Sequence, residues 1–231
     1  MFSTGSAQWA AETFSQAKLG DIRRAKRLVV LASNLSNKLG QSLVQSSTSS
    51  ADIEAAYRFT RNKAINAQAI AESGFLATAK HVNQYDCLLA LEDTTSLEFK
   101  HQTVRDEMGH TTSNKRSRGM HAHSVLLFAP EQKHVVGLIE QKRWTRDVSL
   151  YGQNNRHASR AYEDKESYKW EQASEAMANR LGSAMDKVIS VCDREADIIE
   201  YLTYKTTNQQ RFVVRSMQSR CIEQSDNKLY Q

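Results

Sequence analysis

Residues 87–96 read CLLALEDTTS and residues 187–197 read KVISVCDREAD, and these two stretches decide the fold. Each is an apolar run that delivers an acid, Asp93 in the first and Asp193 in the second. Near-continuous runs of Leu, Ile and Val are typical of strands buried on both faces of a sheet. A carboxylate where such a run meets a polar turn is costly unless it is paired, capped or bound to a cation. Two carboxylates sharing one site repel each other, and a divalent cation relieves the repulsion. Hard oxygen ligands select Mg²⁺ or Mn²⁺. Two ions about 3.5–4 Å apart suit in-line phosphoryl displacement. Two structural roles stand against that chemistry. Asp193 could cap the helix that begins in ADIIEYL, and Asp93 could hydrogen-bond its own turn through Thr94 and Thr95.

Working outward, HSVLLFAP (123–130) and HVVGLIEQKRW (134–144) read as two strands around the turn PEQK, which holds the only proline, Pro130. EDKESYKWEQASEAMANRLG (163–182) is an amphipathic helix with Trp170, Ala173, Met177 and Leu181 on one stripe and Gly182 as its cap. A helix, ADIIEYLTYKTT, and a strand, RFVVRSM, follow Asp193. The order is strand, hairpin, helix, strand, helix, strand. This is an α/β pattern whose first and fourth strands can lie side by side, so that Asp93 and Asp193 meet. The polar stretch 101–119, with Arg116 and Arg118, reads as a loop.

The first third has helical spacing instead. Residues 6–18 form a short amphipathic segment with Trp9, Phe14 and Ala17, ended by Leu19 and Gly20. Asp21 is placed to cap a helix that Gly40 closes, with Ile22, Ala25, Val29, Ala32 and Leu35 as its inward stripe. Residues 41–50 read as a polar linker. A third helix over 51–62 turns Ile53, Ala56 and Tyr57 inward, flanked by Arg58 and Arg61. A fourth, capped by Asn62 or Asn66, runs to about residue 83. Residues 1–70 hold nine Lys/Arg against four Asp/Glu, while the rest of the chain holds twenty-two of each. The whole net charge of +5 therefore sits in this third. Such a concentration is the electrostatic footprint of a nucleic-acid-binding module or a solvated basic helix face. Arg23, Arg24, Lys26 and Arg27 crowd the first two turns of the second helix, where the helix dipole prefers acids. A phosphate partner relieves that conflict.

Several classes drop out. No run approaches the ~18 apolar residues of a membrane span, and MFSTGSAQWA lacks a signal-peptide core. Cys87, Cys192 and Cys221 are scattered and odd in number, which fits free thiols in a reducing compartment. The expected location is the cytoplasm, with no membrane partner. No GxxxxGK[ST] or GxGxxG string supports nucleotide hydrolysis. His121 and His123 alternate at a strand entrance, but without a Cys or third His beside them they do not make a zinc site. His123 is expected to pack or hydrogen-bond beside the sheet, and Trp144 and Trp170 to anchor the core.

The strings LGDIRRAKRL, AAYRFTRN, LEDTTSL, RSRG with HSVLL shortly after, VVGL, DKESYKW, VCDREADI and RFVVRS run in order along nearly the whole chain. They resemble the DDE transposases of bacterial insertion sequences, most closely the cut-and-paste Tn-five type. The resemblance implies a helical DNA-binding bundle over 1–70 and a ribonuclease-H-like catalytic core over 71–231, which together make an α/β protein. It makes Asp93 and Asp193 the first two catalytic, metal-binding acids, served by Mg²⁺ with Mn²⁺ as a substitute. It places Arg215 close to the active site and DNA. Arg24 and Arg27, with Lys38, match the region that contacts transposon ends, beside Arg23, Arg58 and Arg61. The implied partners are double-stranded DNA, as terminal repeats and target, and a second copy of the chain on that DNA. The family's third carboxylate is a Glu within a later tyrosine–arginine–glutamate–lysine signature, and this sequence holds no such motif. Glu223 and Asp226 lie in no comparable context, and Glu195 and Asp197 follow Asp193 too closely to stand in. The core is therefore expected to be C-terminally incomplete, leaving open a non-cleaving derivative that binds ends or pairs with full-length transposase.

Overall fold

A computed structural model describes residues 5–112, 114, 116–150, 160–217, 219, 221–222 and 225–228. Glu223 lies outside the described residues. The chain divides into two compact units, the first reaching Lys80 and the second starting at His81.

The first unit is helical: α1 (Ser6–Phe14), α2 (Ile22–Asn37), α3 (Leu43–Ser46), α4 (Ser50–Thr60) and α5 (Ala67–His81). Helix α1 stops at Phe14, so Leu19 and Gly20 do not end it. Gly20 instead takes a φ of +75° in the turn into α2, a conformation in which a Cβ would be strained. Asp21 caps α2, its carboxylate accepting the Arg23 N–H at 2.8 Å. The segment 41–50 is more than a linker, because Ser42 and Gln45 form a capping box that starts α3. Asn66 accepts the N–H groups of Gln68 and Ala69 and so starts α5. That helix runs through position 70, where the sequence placed a boundary.

The core of this unit is Ala17, Leu19, Leu28, Leu31, Ala56 and Phe59, with Phe14, Leu43 and Ile70 packed against it. The α2 stripe is turned from the expected one. Ala25, Leu28 and Leu31 are buried, whereas Ile22 is 64% and Leu35 40% exposed. On α4, Phe59 takes the inward place and Tyr57 faces out. A core built partly from alanine is narrow, so the ends of a long helix run past it into solvent.

The second unit contains β1 (Leu88–Glu98), α6 (Gln102–Arg105), β2 (Gly109–His110), β3 (Arg118–Ala129), β4 (His134–Trp144), α7 (Lys169–Leu181), β5 (Val188–Cys192), α8 (Ile199–Thr207) and β6 (Arg211–Val214). A small hairpin, β7 (Cys221–Ile222) and β8 (Ser225–Lys228), follows. The sheet order is β2-β3-β1-β5-β6, with β4 also paired to β3. Strand β1 is antiparallel to β3 and parallel to β5, and β5 is parallel to β6. The chain is thus α/β, a helical region followed by a mixed sheet with helices. The stretch 101–119 is not a plain loop, since it holds α6, β2 and the start of β3. At the turn into β3 a Cβ on Gly119 would lie 1.9 Å from the Leu97 carbonyl oxygen, so this close strand approach requires glycine.

Strand β1 also differs from the expectation of burial on both faces. Leu88, Ala90 and Glu92 are buried, but Leu91 and Asp93 on the other face are exposed. The α7 stripe of Trp170, Ala173, Met177 and Leu181 is buried as its spacing predicted. Among the described residues, no helix is long and apolar enough to cross a membrane.

Candidate nucleic-acid interface and acidic row

In the helical unit, Arg23, Arg24 and Arg27 from the start of α2 and Arg58 from α4 line one shallow groove with Asn62. Arg61 lies in the adjoining hollow, its guanidinium 5.2 Å above the Tyr57 ring. Five of the six basic residues singled out here in the sequence therefore gather on one surface. Lys38 does not join them. It sits beyond the other end of α2, about 22 Å along the helix axis from Arg23, and donates to the Gln45 carbonyl at 2.8 Å. Arg24 braces the fold as well as lining the groove, donating to the carbonyls of Leu19 at 2.8 Å and Ala64 at 3.4 Å. Arg23 pairs with Asp21 at 2.8 Å and Arg27 with Asp52 at 3.3 Å. The Arg23 guanidinium and N–H hold the Asp21 carboxyl at about 2. A hydrogen bond from the Thr48 hydroxyl, and then Arg27, lower Asp52 as well.

In the sheet unit, Glu92, Cys192 and Val214 form the last paired row across β1, β5 and β6. Asp93, Asp193 and Arg215 take the next position on the three strands. The Arg215 N–H donates to the Cys192 carbonyl at 3.2 Å, which extends the β5–β6 pairing to this row. All three side chains are exposed. Beyond Glu92, β1 continues antiparallel to β3 as far as Glu98 but leaves β5. The parallel strands thus part at the acids, and ligands of open α/β sheets bind in such crevices at strand carboxyl ends.

The two structural alternatives fare differently. Asp193 accepts the Glu195 N–H at 2.9 Å and so caps the short 3₁₀ turn Arg194–Ala196, not α8. Its second oxygen has no hydrogen-bond partner among the described residues. Asp93 lies within a continuous strand, with no turn at Thr94 and Thr95, and its carboxylate has no hydrogen bond or ion pair among the described residues. Two carboxylates with free oxygens are a donor set that suits a hard cation. Among the described residues no group of three or more His, Cys, Asp or Glu is placed to hold a metal ion. Asp197 is taken up by structure, its carboxylate accepting the Met217 N–H at 2.7 Å. That bond ties the chain after Arg215 to the turn after Asp193.

The comparison with known families bears on the helical unit. Residues 6–65 match a family described as transposase DNA-binding. The match supports a transposase-related DNA-binding role for the helical unit, with DNA as the partner. The match includes α1 to α4 and all six basic residues expected to contact DNA, Lys38 among them. Asp93, Asp193 and Arg215 fall outside it.

On the other face of the sheet from the acidic row, His123 and Trp170 pack as the sequence predicted, but the buried Glu92 and Lys205 were missed. Glu92, next to Asp93, has a fully buried side chain with His123 Nε2 3.8 Å away. His123 Nδ1 shares a hydrogen bond with the Thr94 hydroxyl at 3.0 Å, and its ring meets Trp170 edge-on at 4.5 Å. His121 bonds Ser96 at 3.1 Å and stacks on Trp144. Lys205, also fully buried, donates to the Ser190 hydroxyl at 2.8 Å and to Gln210 Oε1 at 3.1 Å. Burial pushes the Lys205 ammonium below its usual range, with Glu92 pulling it back, and pushes the Cys192 thiol and Tyr201 hydroxyl up. The signal for Glu92 was in LEDTTSL: with Leu88 and Ala90 inward, a period of two places residue 92 on the buried face.

Proposed function

We propose that the chain is a DDE-class transposase polypeptide of the cut-and-paste, Tn-five type. The helical unit binds the terminal repeats of its element, and the sheet unit is a ribonuclease-H-like core. Asp93 and Asp193 are two of its three metal-binding acids, and Arg215 meets the DNA backbone beside them. The observation that carries this reading is the row itself, two acids and an arginine each one residue past the last paired row, Glu92–Cys192–Val214, of three adjacent parallel strands. Bound Mg²⁺, or Mn²⁺ in its place, supplies charge for the attacking and leaving oxygens of phosphodiester displacement. Among the described residues, Asp93 offers a carboxylate with no competing hydrogen bond, and Asp193 offers one free oxygen while the other keeps its turn in place. Arg215 presents a guanidinium, whose fork matches a phosphate. Two copies act together on paired DNA ends, with target DNA as the second substrate.

A second reading is a derivative that binds ends without cutting them. Among the described residues two carboxylates, Asp93 and Asp193, stand at these strand ends. Metal-dependent nicking of a duplex that carries the element's terminal repeat separates the two. Nicking that Asp193→Ala abolishes supports the enzyme. Binding without nicking supports the derivative. No preference for the repeat over random DNA removes both.

A further inference from the structure

The arginines of the groove are not equivalent. Arg58 and Arg61 form no ion pair among the described residues, although Glu54 lines the same hollow, and Arg61 rests over the exposed Tyr57 ring. Arg23 and Arg27 are each held by a carboxylate, Asp21 and Asp52. Asp52 is itself held in place. Its Oδ1 accepts from Arg27, its Oδ2 from the Thr48 hydroxyl, and its own N–H donates to the Ser49 hydroxyl that caps α4. The causes that lower its pKa keep it anionic at neutral pH. Asp52 takes one donor of Arg27, Nη1, so it biases where the guanidinium rests, and a phosphate that seats on that same edge competes with it.

We propose that Asp52 is a selectivity residue of the DNA-binding groove. It occupies Arg27 in the free chain and releases it only to a duplex that seats deeply enough for a backbone phosphate to take its place. Arg58 and Arg61 engage any duplex, whereas Arg27 engages the one that fits. Discrimination is a difference of affinities, and a residue that weakens loose binding more than seated binding increases it. Asp21 holds Arg23 in the same way, but it also caps α2, so Asp52 gives the cleaner test. The inference rests on the end-selective reading above.

The experiment uses the full chain and two labelled probes. One is a short mixed-sequence duplex, and the other is a duplex the unsubstituted chain selects from a random pool. An exposed ion pair is a weak restraint, so Asp52→Asn should tighten mixed-duplex binding by about three- to fivefold. The slope of log affinity against log salt should steepen by about one as Arg27 gains a phosphate. The selected duplex should gain less, so the ratio between the probes falls. Asp52→Ser should behave alike, and circular dichroism with thermal melting confirms that each variant folds. In an Arg27→Gln background, Asp52→Asn should add nothing. An equal gain with and without Arg27 would overturn the proposal, since Asp52 would then act as a bare charge. An equal gain on both probes overturns it too. If the unsubstituted chain selects no sequence, the end-selective reading falls and takes this inference with it. If it selects one but the variants fail these expectations, only the inference falls.

Discussion

The helical unit closes around Ala17, Leu19, Leu28, Leu31, Ala56 and Phe59 and keeps its arginines outside, whereas the sheet unit buries Glu92, His123, Glu140 and Lys205 beside Trp170 and Tyr201. The contrast comes from depth. Short helices packed through alanine enclose too little volume to shield a charge, so the chemistry of that unit lies on its surface. A sheet backed by α7 and α8 has room for charge, but each buried group must then find partners. Glu140 meets Arg180 at 2.5 Å, and Lys205 meets Ser190 and Gln210. Glu92 and His123 flank the backbone that presents Asp93. Outer charge in the first unit lies open to solvent, whereas both Glu92 carboxylate oxygens and His123 Nε2 are buried with no hydrogen-bond partner among the described residues.

The largest expected effect tests the outer half of this contrast. If about six phosphates are contacted, raising salt fourfold should weaken DNA binding by about a thousandfold or more, as read by fluorescence anisotropy. Asp93→Ala and Asp193→Ala should leave that salt slope unchanged. A slope that flattens in either variant would mean that the acidic row, not the arginine groove, governs affinity. Next in size is the inner half. Trp170 is 1% exposed and packs against His123 and Tyr201. Trp170→Ala should cost about 3–5 kcal/mol and collapse the sheet unit's melting transition. Duplex binding by the arginine groove is expected to survive it. Its loss would break the division of labour.

How much of this was legible depends on which physical signal each feature leaves in the sequence. The α7 stripe could be read because Trp170, Ala173, Met177 and Leu181 recur at helical spacing around one large ring. The adjacency of β1 and β5 followed from element order and from the short reach of connections, whereas β2 was read as loop. The Arg23–Arg27 cluster stood out because cations at a helix N-terminus contradict the helix dipole. The α2 stripe was misread because spacing gives the period of a helix but not how wide a core it meets, and Ile22 lies beyond that core. Lys38 looked equivalent to Arg27 in charge, yet the length of α2 carries it away from the groove. Glu92 was passed over because a near-continuous apolar run hides which face is covered. Only the packed helices make that distinction.

A tenfold effect comes next and contrasts surface with interior inside the sheet unit. Cys192 is 6% exposed, shares a hydrogen bond with the Tyr201 hydroxyl at 3.5 Å, and has its thiol pushed up by burial. Cys87 is only half-buried. In a Cys221→Ser chain, iodoacetamide should modify Cys87 about ten times faster than Cys192, as read by mass spectrometry of peptides. Equal rates would show that the polar interior opens readily, and that the strand ends carrying the acids are held less firmly than the packing of Trp170 implies.

The smallest effect concerns the Asp21 carboxylate at the start of α2. Arg23 holds Asp21 at about 2, against an ordinary value of 3.8. A folded value below the unfolded one means that the contribution is complete above the unfolded value and is lost as pH falls through the folded one. The window therefore runs from about pH 4 down to about pH 2. Asp21→Ser keeps a capping oxygen for the Arg23 N–H but carries no charge to titrate. The parent chain should melt slightly above the variant at neutral pH, and the gap should shrink steadily once pH falls below 4. A gap that persists into acid would mean that the cap hydrogen bond, not the ion pair, is what Asp21 contributes. Arg23 would then be free to meet DNA without first leaving a partner, and Asp52 alone would separate restrained from unrestrained arginines in the groove.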